Sequence, residues 1–176
     1  MISVLFADDS NLLSINKFTT DLCNISGQNS QPFNVDSLLS KDCRHKSQIL
    51  VLNKKNPDFN LQKALDVMAT GSVIVMNSDE THYAGLKLTK PMRLITYGYN
   101  PKSTITASSI VVHENISLQC CIQRQFATLS GAILEVQEFL VRTNYMELTE
   151  GDILASVSVA LLCDASIDRI SNYTKP

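Results

Sequence analysis

A chain of 176 residues is long enough to bury one sizeable core and too short to bury two comfortably, so a single domain over residues 1–176 is expected. Fifteen Lys and Arg against 17 Asp and Glu give a formal net charge of −2, and Lys54-Lys55 is the one adjacent basic pair, which excludes an electrostatic footprint for nucleic acid or an anionic membrane surface. No apolar run approaches the roughly 18 residues a membrane span needs, and the opening Met1 to Phe6 meets Asp8 and Asp9 with no basic stretch before it, so a soluble, cytoplasmic chain is expected.

The first element in chain order is the apolar run Ile2 to Phe6 (ISVLF). It is followed by a helical stretch from Ser10 to Cys23 that carries Leu12, Leu13, Ile15 and Phe18, with Ser10 placed to cap it. A second run, Ile49 to Leu52 (ILVL), precedes a helix from Asn60 to Ala69. There Leu61, Ala64, Leu65 and Met68 fall at i, i+3, i+4 and i+7 and form one stripe, Asn60 is the expected N-cap, and Gly71 the C-terminal stop. The third run is Val73 to Met76 (VIVM). Continuous apolar runs of this length, without alternation, suit strands of a parallel sheet covered on both faces.

Each run ends in polar residues. If the strands are parallel neighbours, Asp8, Asp9, Asn53, Asn77 and Asp79 gather at one edge of the sheet, beyond the carboxyl ends of the strands, where open α/β sheets bind ligands. The same polarity also follows from loops being exposed and capping helices, and both readings stay open.

After Pro91 the pattern becomes β-rich. Leu94 to Tyr97, Thr104 to Val112, Ile116 to Phe126 and Ala132 to Val141 read as antiparallel strands separated by turns at Asn100-Pro101, His113-Glu114-Asn115 and Ser130-Gly131. Thr104, Thr106 and Ser108 alternate with Ile105, Ala107 and Ile110, which predicts one solvated face. Thr149-Glu150-Gly151-Asp152 then has the form of a capping box, and Ile153, Leu154, Val157, Ala160 and Leu161 give the helix behind it a wide apolar face. A tail from Ser166 to Tyr173 completes the edge. The expected layout is a parallel α/β part at 1–92, antiparallel strands at 93–145 and a helical part at 146–176.

The chemistry-bearing patterns are mostly missing. Neither G-x-x-x-x-G-K-[ST] nor G-x-G-x-x-G occurs, and with six glycines in the whole chain no loop cradles a phosphate in that way. G-x-S-x-G and H-E-x-x-H are absent too, so no catalytic residue is assigned. His45, His82 and His113 are far apart, and no metal site is expected. Cys23, Cys43, Cys120, Cys121 and Cys163 are odd in number and lack a C-x-x-C pair, which argues for reduced, mostly buried thiols.

Two resemblances carry further expectations. "VLFADDS" resembles the opening of a receiver domain, in which an acidic pair, here Asp8 and Asp9, holds magnesium. "ILVLNKKNPD" has the shape of that family's acceptor strand, but Asn53 stands where the acceptor aspartate belongs. Lys90-Pro91 imitates a later motif and follows too closely.

A second resemblance runs from Ile49 to about Ile167. The order "ILVLNKKNPDFN", "ALDVMATGSVIVMNSDE", "RLITYGYNPKSTITASSI" and "DILASVSVALLCDASI" is similar to the central ATP-binding domain of the Mur ligases, which add amino acids to peptidoglycan precursors. The resemblance implies that family's α/β fold, with ATP and Mg²⁺ as its cofactors. It also implies an N-x-D-D loop, here Asn77-Ser78-Asp79-Glu80, that sets Asn77 near the nucleotide base with Asp79 beside it.

The departures are as specific. The family's G-T-[NK]-G-K-T loop has no counterpart in "MISVLFADDSNLLS", and losing even one such preorganised donor removes about 3 kcal/mol of transition-state stabilisation. Phe59 follows Asp58 where the family has histidine, and Lys63 lies on the helix of the carbamylated lysine without a convincing match. The UDP-binding and amino-acid-binding domains have no counterpart in these residues. The resulting expectation is a degenerate, non-catalytic Mur-ligase-like domain that binds a nucleotide-like small molecule or a protein partner. The alternatives are an ATP-dependent acid–amino-acid ligase subunit completed by another chain, and a receiver-like signalling module.

Overall fold

A computed structural model of the chain describes residues 2–7, 12–25, 30–34, 48–53, 60–83 and 87–173. The strands are β1 (Ile2–Phe6), β2 (Ser30–Asn34), β3 (Ile49–Leu52), β4 (Val73–Asn77), β5 (Arg93–Tyr97), β6 (Ile105–Val112), β7 (Ile116–Ile122), β8 (Phe126–Ala127), β9 (Ile133–Leu134) and β10 (Gln137–Thr143). The helices are α1 (Leu12–Ile25), α2 (Leu61–Val67), α3 (Glu150–Leu162) and α4 (Ile167–Ser171), with a 3₁₀ turn at Thr81–Tyr83. Ser10, the expected cap of α1, lies outside the described residues.

Eight strands form one sheet in the order β10-β7-β6-β5-β4-β3-β1-β2, and β8 and β9 form a separate pair. From β2 to β5 every neighbour is parallel. The three apolar runs are thus strands of a parallel sheet, as their texture predicts. Val4, Phe6, Ile49, Val51, Val73 and Val75 face one core with α1 and α3, while Leu5, Leu50, Leu52 and Ile74 face the other with Ala64 and Leu65 of α2 and Met68 just after it. Each such side chain, fully buried, contributes about 1.5–3 kcal/mol. Only a strand covered on both faces can use apolar residues at successive positions.

β5 departs from the expected layout. The sequence pattern puts it in the antiparallel part beginning at residue 93, yet it pairs with β4 in parallel from Val73↔Arg93 to Asn77↔Tyr97. The connection over 78–92 is long enough to carry the chain back to the same end of the sheet, as a parallel pair requires. β6 also starts parallel to β5, at Tyr97↔Ile105, so Arg93 to Ile110 is not a hairpin. Antiparallel pairing begins between β6 and β7 and continues to β10.

The solvated face predicted for β6 is confined to its second half. The β6–β7 register shifts between Ala107 and Ser109. Thr104 and Thr106, before the shift, are buried, and Thr104 N–H donates to Thr96 Oγ1 at 3.0 Å.

Asn60 caps α2 as predicted, its Oδ1 accepting from Lys63 N–H at 3.0 Å. The helix ends at Val67, earlier than expected, and Met68 is extended. Lys90 Nζ donates to the carbonyls of Asp66 and Met68 at 3.0 and 2.6 Å, satisfying this helix end. Gly71 lies in the next turn rather than at the cap, with φ +81.

The capping box opens α3: Thr149 Oγ1 accepts from Asp152 N–H, and Asp152 Oδ2 from Thr149 N–H. From Asp152 to Leu162 every residue of α3 is buried. Ser156 and Ser158 tolerate this because their hydroxyls donate to the carbonyls of Asp152 and Leu154, and Thr19 of α1 donates to Ser156 Oγ at 3.0 Å.

Cys23, Cys120 and Cys163 are buried and Cys121 is half-buried; Cys43 lies outside the described residues. Burial, with the neighbouring Cys121, pushes the Cys120 thiol up to about 12, which keeps it protonated and unreactive. Among the described residues no helix is long and apolar enough to cross a membrane.

Candidate functional site

Beyond the carboxyl ends of β3, β4 and β5 lies a cavity of about 300 Å³. Asn53 enters it from the end of β3. β4 and the turn after it supply Asn77, Asp79 and Glu80, the loop after β5 supplies Gly98 and Tyr99, and the start of α3 supplies Thr149, Glu150, Gly151 and Leu154. Three of the five strand-end candidates, Asn53, Asn77 and Asp79, are therefore brought together. Asp8 and Asp9 lie outside the described residues.

Asn53 lines the cavity and is hydrogen-bonded to Asp152 of α3, which does not line it. Both are fully buried. Asn53 Nδ2 donates to Asp152 Oδ1 at 2.6 Å, and Tyr97 Oη donates to Asn53 Oδ1, also at 2.6 Å. Asp152 Oδ2 takes the Thr149 N–H at 2.8 Å. A chain of hydrogen bonds thus runs from β5 through β3 into the first turn of α3 and fixes where that helix begins.

Asn77 is half-buried. Its Oδ1 accepts from Asp79 N–H at 3.0 Å, an Asx turn of the kind short polar side chains form where a strand ends. A Cβ on Gly151 would stand 3.7 Å from Asn77 Nδ2, so the amide donor faces the start of α3. Asp79 holds the following loop: its Oδ2 accepts from Tyr99 N–H at 2.8 Å and its Oδ1 from Asn100 N–H at 2.9 Å. Gly98 passes so close that a Cβ there would lie 2.5 Å from Asp79 Oδ2, at a φ of +134. Ser78 adds a second tie, its hydroxyl 3.0 Å from Tyr97 O and 2.6 Å from Ser103 Oγ.

The rim is acidic. Asp79, Glu80 and Glu150 contribute carboxylates, and no Lys, Arg or His is among the described residues lining the cavity. Partial burial, then the charges of Glu150 and Asp79, raise the Tyr99 phenol above its ordinary range. Among the described lining residues a polyphosphate would meet carboxylates and no cationic side chain. Among the described residues no group of three or more His, Cys, Asp or Glu is placed to hold a metal ion.

Sequence reasoning missed Glu80, Tyr99, Glu150 and Gly151 as lining residues. The capping box at Thr149 was legible, but nothing local says that this helix starts over the ends of β3 and β4.

Fold and cavity together define an α/β protein with a mostly parallel sheet, flanking helices, an antiparallel extension and a polar pocket at the carboxyl edge. No family model matches the chain, and no curated protein sequence matches it. Among solved structures it is similar to the folylpolyglutamate synthetase from Lactobacillus casei, with 8% identity and a TM-score of 0.41 over 81% of this chain and 36% of that chain. The chain thus spans about a third of that protein's length, and a likeness this distant transfers no residue role.

Proposed function

We propose that the chain is a non-catalytic binding module that holds a small polar molecule at the carboxyl edge of its sheet. The ligand presents an uncharged hydrogen-bonding group of the kind found on a nucleoside base, without a phosphate tail in the pocket. The observation that carries this reading is the composition of the cavity: amides and backbone at its floor, three carboxylates at its rim and no described cation. Such a set offers the Asn77 amide as donor and the carboxylates as acceptors, which matches the mixed edges of a heterocycle and repels phosphate. The resemblance of the sequence to the Mur ligase central domain supports descent from a nucleotide-binding domain that has lost its phosphate loop, and a role tied to cell-wall precursor metabolism.

Adenosine is the probe that tests it. Calorimetric titration should show binding to the wild-type protein, weakened about tenfold in Asn77→Ala, the effect of losing one partly buried hydrogen bond. Equal affinity in the two proteins would remove Asn77 from the site, and no heat with either would remove the nucleoside reading.

A further inference from the structure

Among the described residues the eight-stranded sheet has two edges, β2 and β10, and they differ. β2 carries Pro32, which has no N–H to offer a neighbour and blunts that edge. β10 has neither Pro nor Gly from Gln137 to Thr143. It is paired with β7 along its whole length on one side, and an edge strand presents N–H and C=O groups on the other.

Its side chains are ordered about Leu140. Phe139 and Val141 belong to the core that also contains Ile170 of α4, so alternation places Glu138, Leu140 and Arg142 on the opposite face, with Glu138 and Arg142 exposed and Leu140 half-buried. Within the chain, Glu138 stands opposite Cys121 and Arg142 opposite Ser117, so neither meets an opposite charge across the ladder. Exposed apolar residues flank the strand: Ile133 and Val136 are 56% and 61% exposed, and Met146 45%.

We infer that β10 pairs with β10 of a second copy of the chain, antiparallel and centred on Leu140. In that register Glu138 of each copy faces Arg142 of the other, twice by symmetry, and the two Leu140 side chains meet between them. A parallel, in-register pair would set Glu138 against Glu138 and Arg142 against Arg142, which cross-strand energetics disfavour. A one-residue slip would turn Phe139 and Val141 to the solvent side of the partner. The charge pattern therefore selects a two-fold dimer that joins the two sheets edge to edge.

Sedimentation equilibrium of the whole chain tests this. Wild type should reach a monomer–dimer equilibrium. Glu138→Arg, which puts Arg opposite Arg at both symmetric positions, should weaken dimerisation about tenfold, with circular dichroism unchanged. Arg142→Glu should do the same and serves if the first variant fails to fold. Combining Glu138→Arg with Arg142→Glu should restore wild-type affinity, because the register re-pairs the exchanged charges. A wild-type monomer at every concentration would overturn the proposal and leave the edge to a strand of another protein. Single variants that dimerise as tightly as wild type, or a double variant as weak as the singles, would overturn it equally.

Discussion

Asn53 donates a 2.6 Å hydrogen bond to Asp152, joining the end of β3 to the first turn of α3 across 99 residues of sequence. Tyr97 donates to the same amide from the other side. Both polar ends of Asn53 are thereby engaged, and the side chain is committed to the interior of this fold. Replacing Asn53 by Leu would leave the Tyr97 hydroxyl and the Asp152 carboxylate each short of a buried partner. A loss of about 3 kcal/mol or more is expected, read as a fall in the urea midpoint at unchanged slope. A change below about 1 kcal/mol, the scale of a single exposed hydrogen bond, would show that the network does not hold α3 in place.

Gly98 supports a second prediction. Its φ is +134, and a Cβ added there would stand 2.5 Å from Asp79 Oδ2, so Gly98→Ala must either strain the backbone or displace the carboxylate from the N–H groups of Tyr99 and Asn100. Backbone strain alone is worth about 1–3 kcal/mol. Gly71, at φ +81 with nothing within 4 Å of its Cβ direction, is the control, and Gly71→Ala should destabilise less. Equal losses from the two variants would mean that the Asp79 contact adds nothing.

Thr149→Ala removes the hydroxyl that accepts from Asp152 N–H. Substitution of such a cap lowers stability by about 1 kcal/mol, measurable by thermal denaturation. Thr149→Ser keeps the acceptor and should recover most of the loss, an outcome that a purely steric role for the threonine methyl would not give.

Asp21 links two tyrosines. Its Oδ2 accepts from Tyr145 and Tyr173, each at 2.9 Å. Burial first, and then the hydrogen bond to Asp21, push Tyr145 from 10.0 up to about 12, and the same causes raise Tyr173. The folded state holds these protons more tightly than the unfolded chain. The resulting stabilisation is complete below the unfolded value of 10.0 and is lost as pH rises through about 12. Tyr145→Phe, which keeps the ring beside Phe18 at 5.8 Å, should make stability less dependent on pH across that window. An unchanged alkaline profile would show that Tyr145 does not sense it.

Much of the fold was legible because its signals are local. The runs Ile2 to Phe6, Ile49 to Leu52 and Val73 to Met76 could be apolar at every position only if covered on both faces, and Thr149 to Asp152 stated its cap in four residues. The direction of β5 was not legible, since Arg93 to Tyr97 has the same β-rich composition whichever way it pairs. The early end of α2 at Val67 depends on Lys90, which reaches its carbonyls from a distant loop. Site residues followed the same division. Asn53, Asn77 and Asp79 could be grouped at one sheet edge because strand ends are polar. What they do was hidden: the partner of Asn53 lies on α3, and the task of Asp79 shows only once Gly98 brings the next loop against it.

The proposal that the pocket binds an uncharged polar group and performs no phosphoryl transfer is tested in one calorimetric titration series, with adenosine and MgATP added in turn to the wild-type protein. Adenosine should bind at least as tightly as MgATP, and MgATP should give no sustained heat of hydrolysis. Much tighter binding of MgATP, or continuing heat after its injection, would mean that the pocket accepts the phosphates after all.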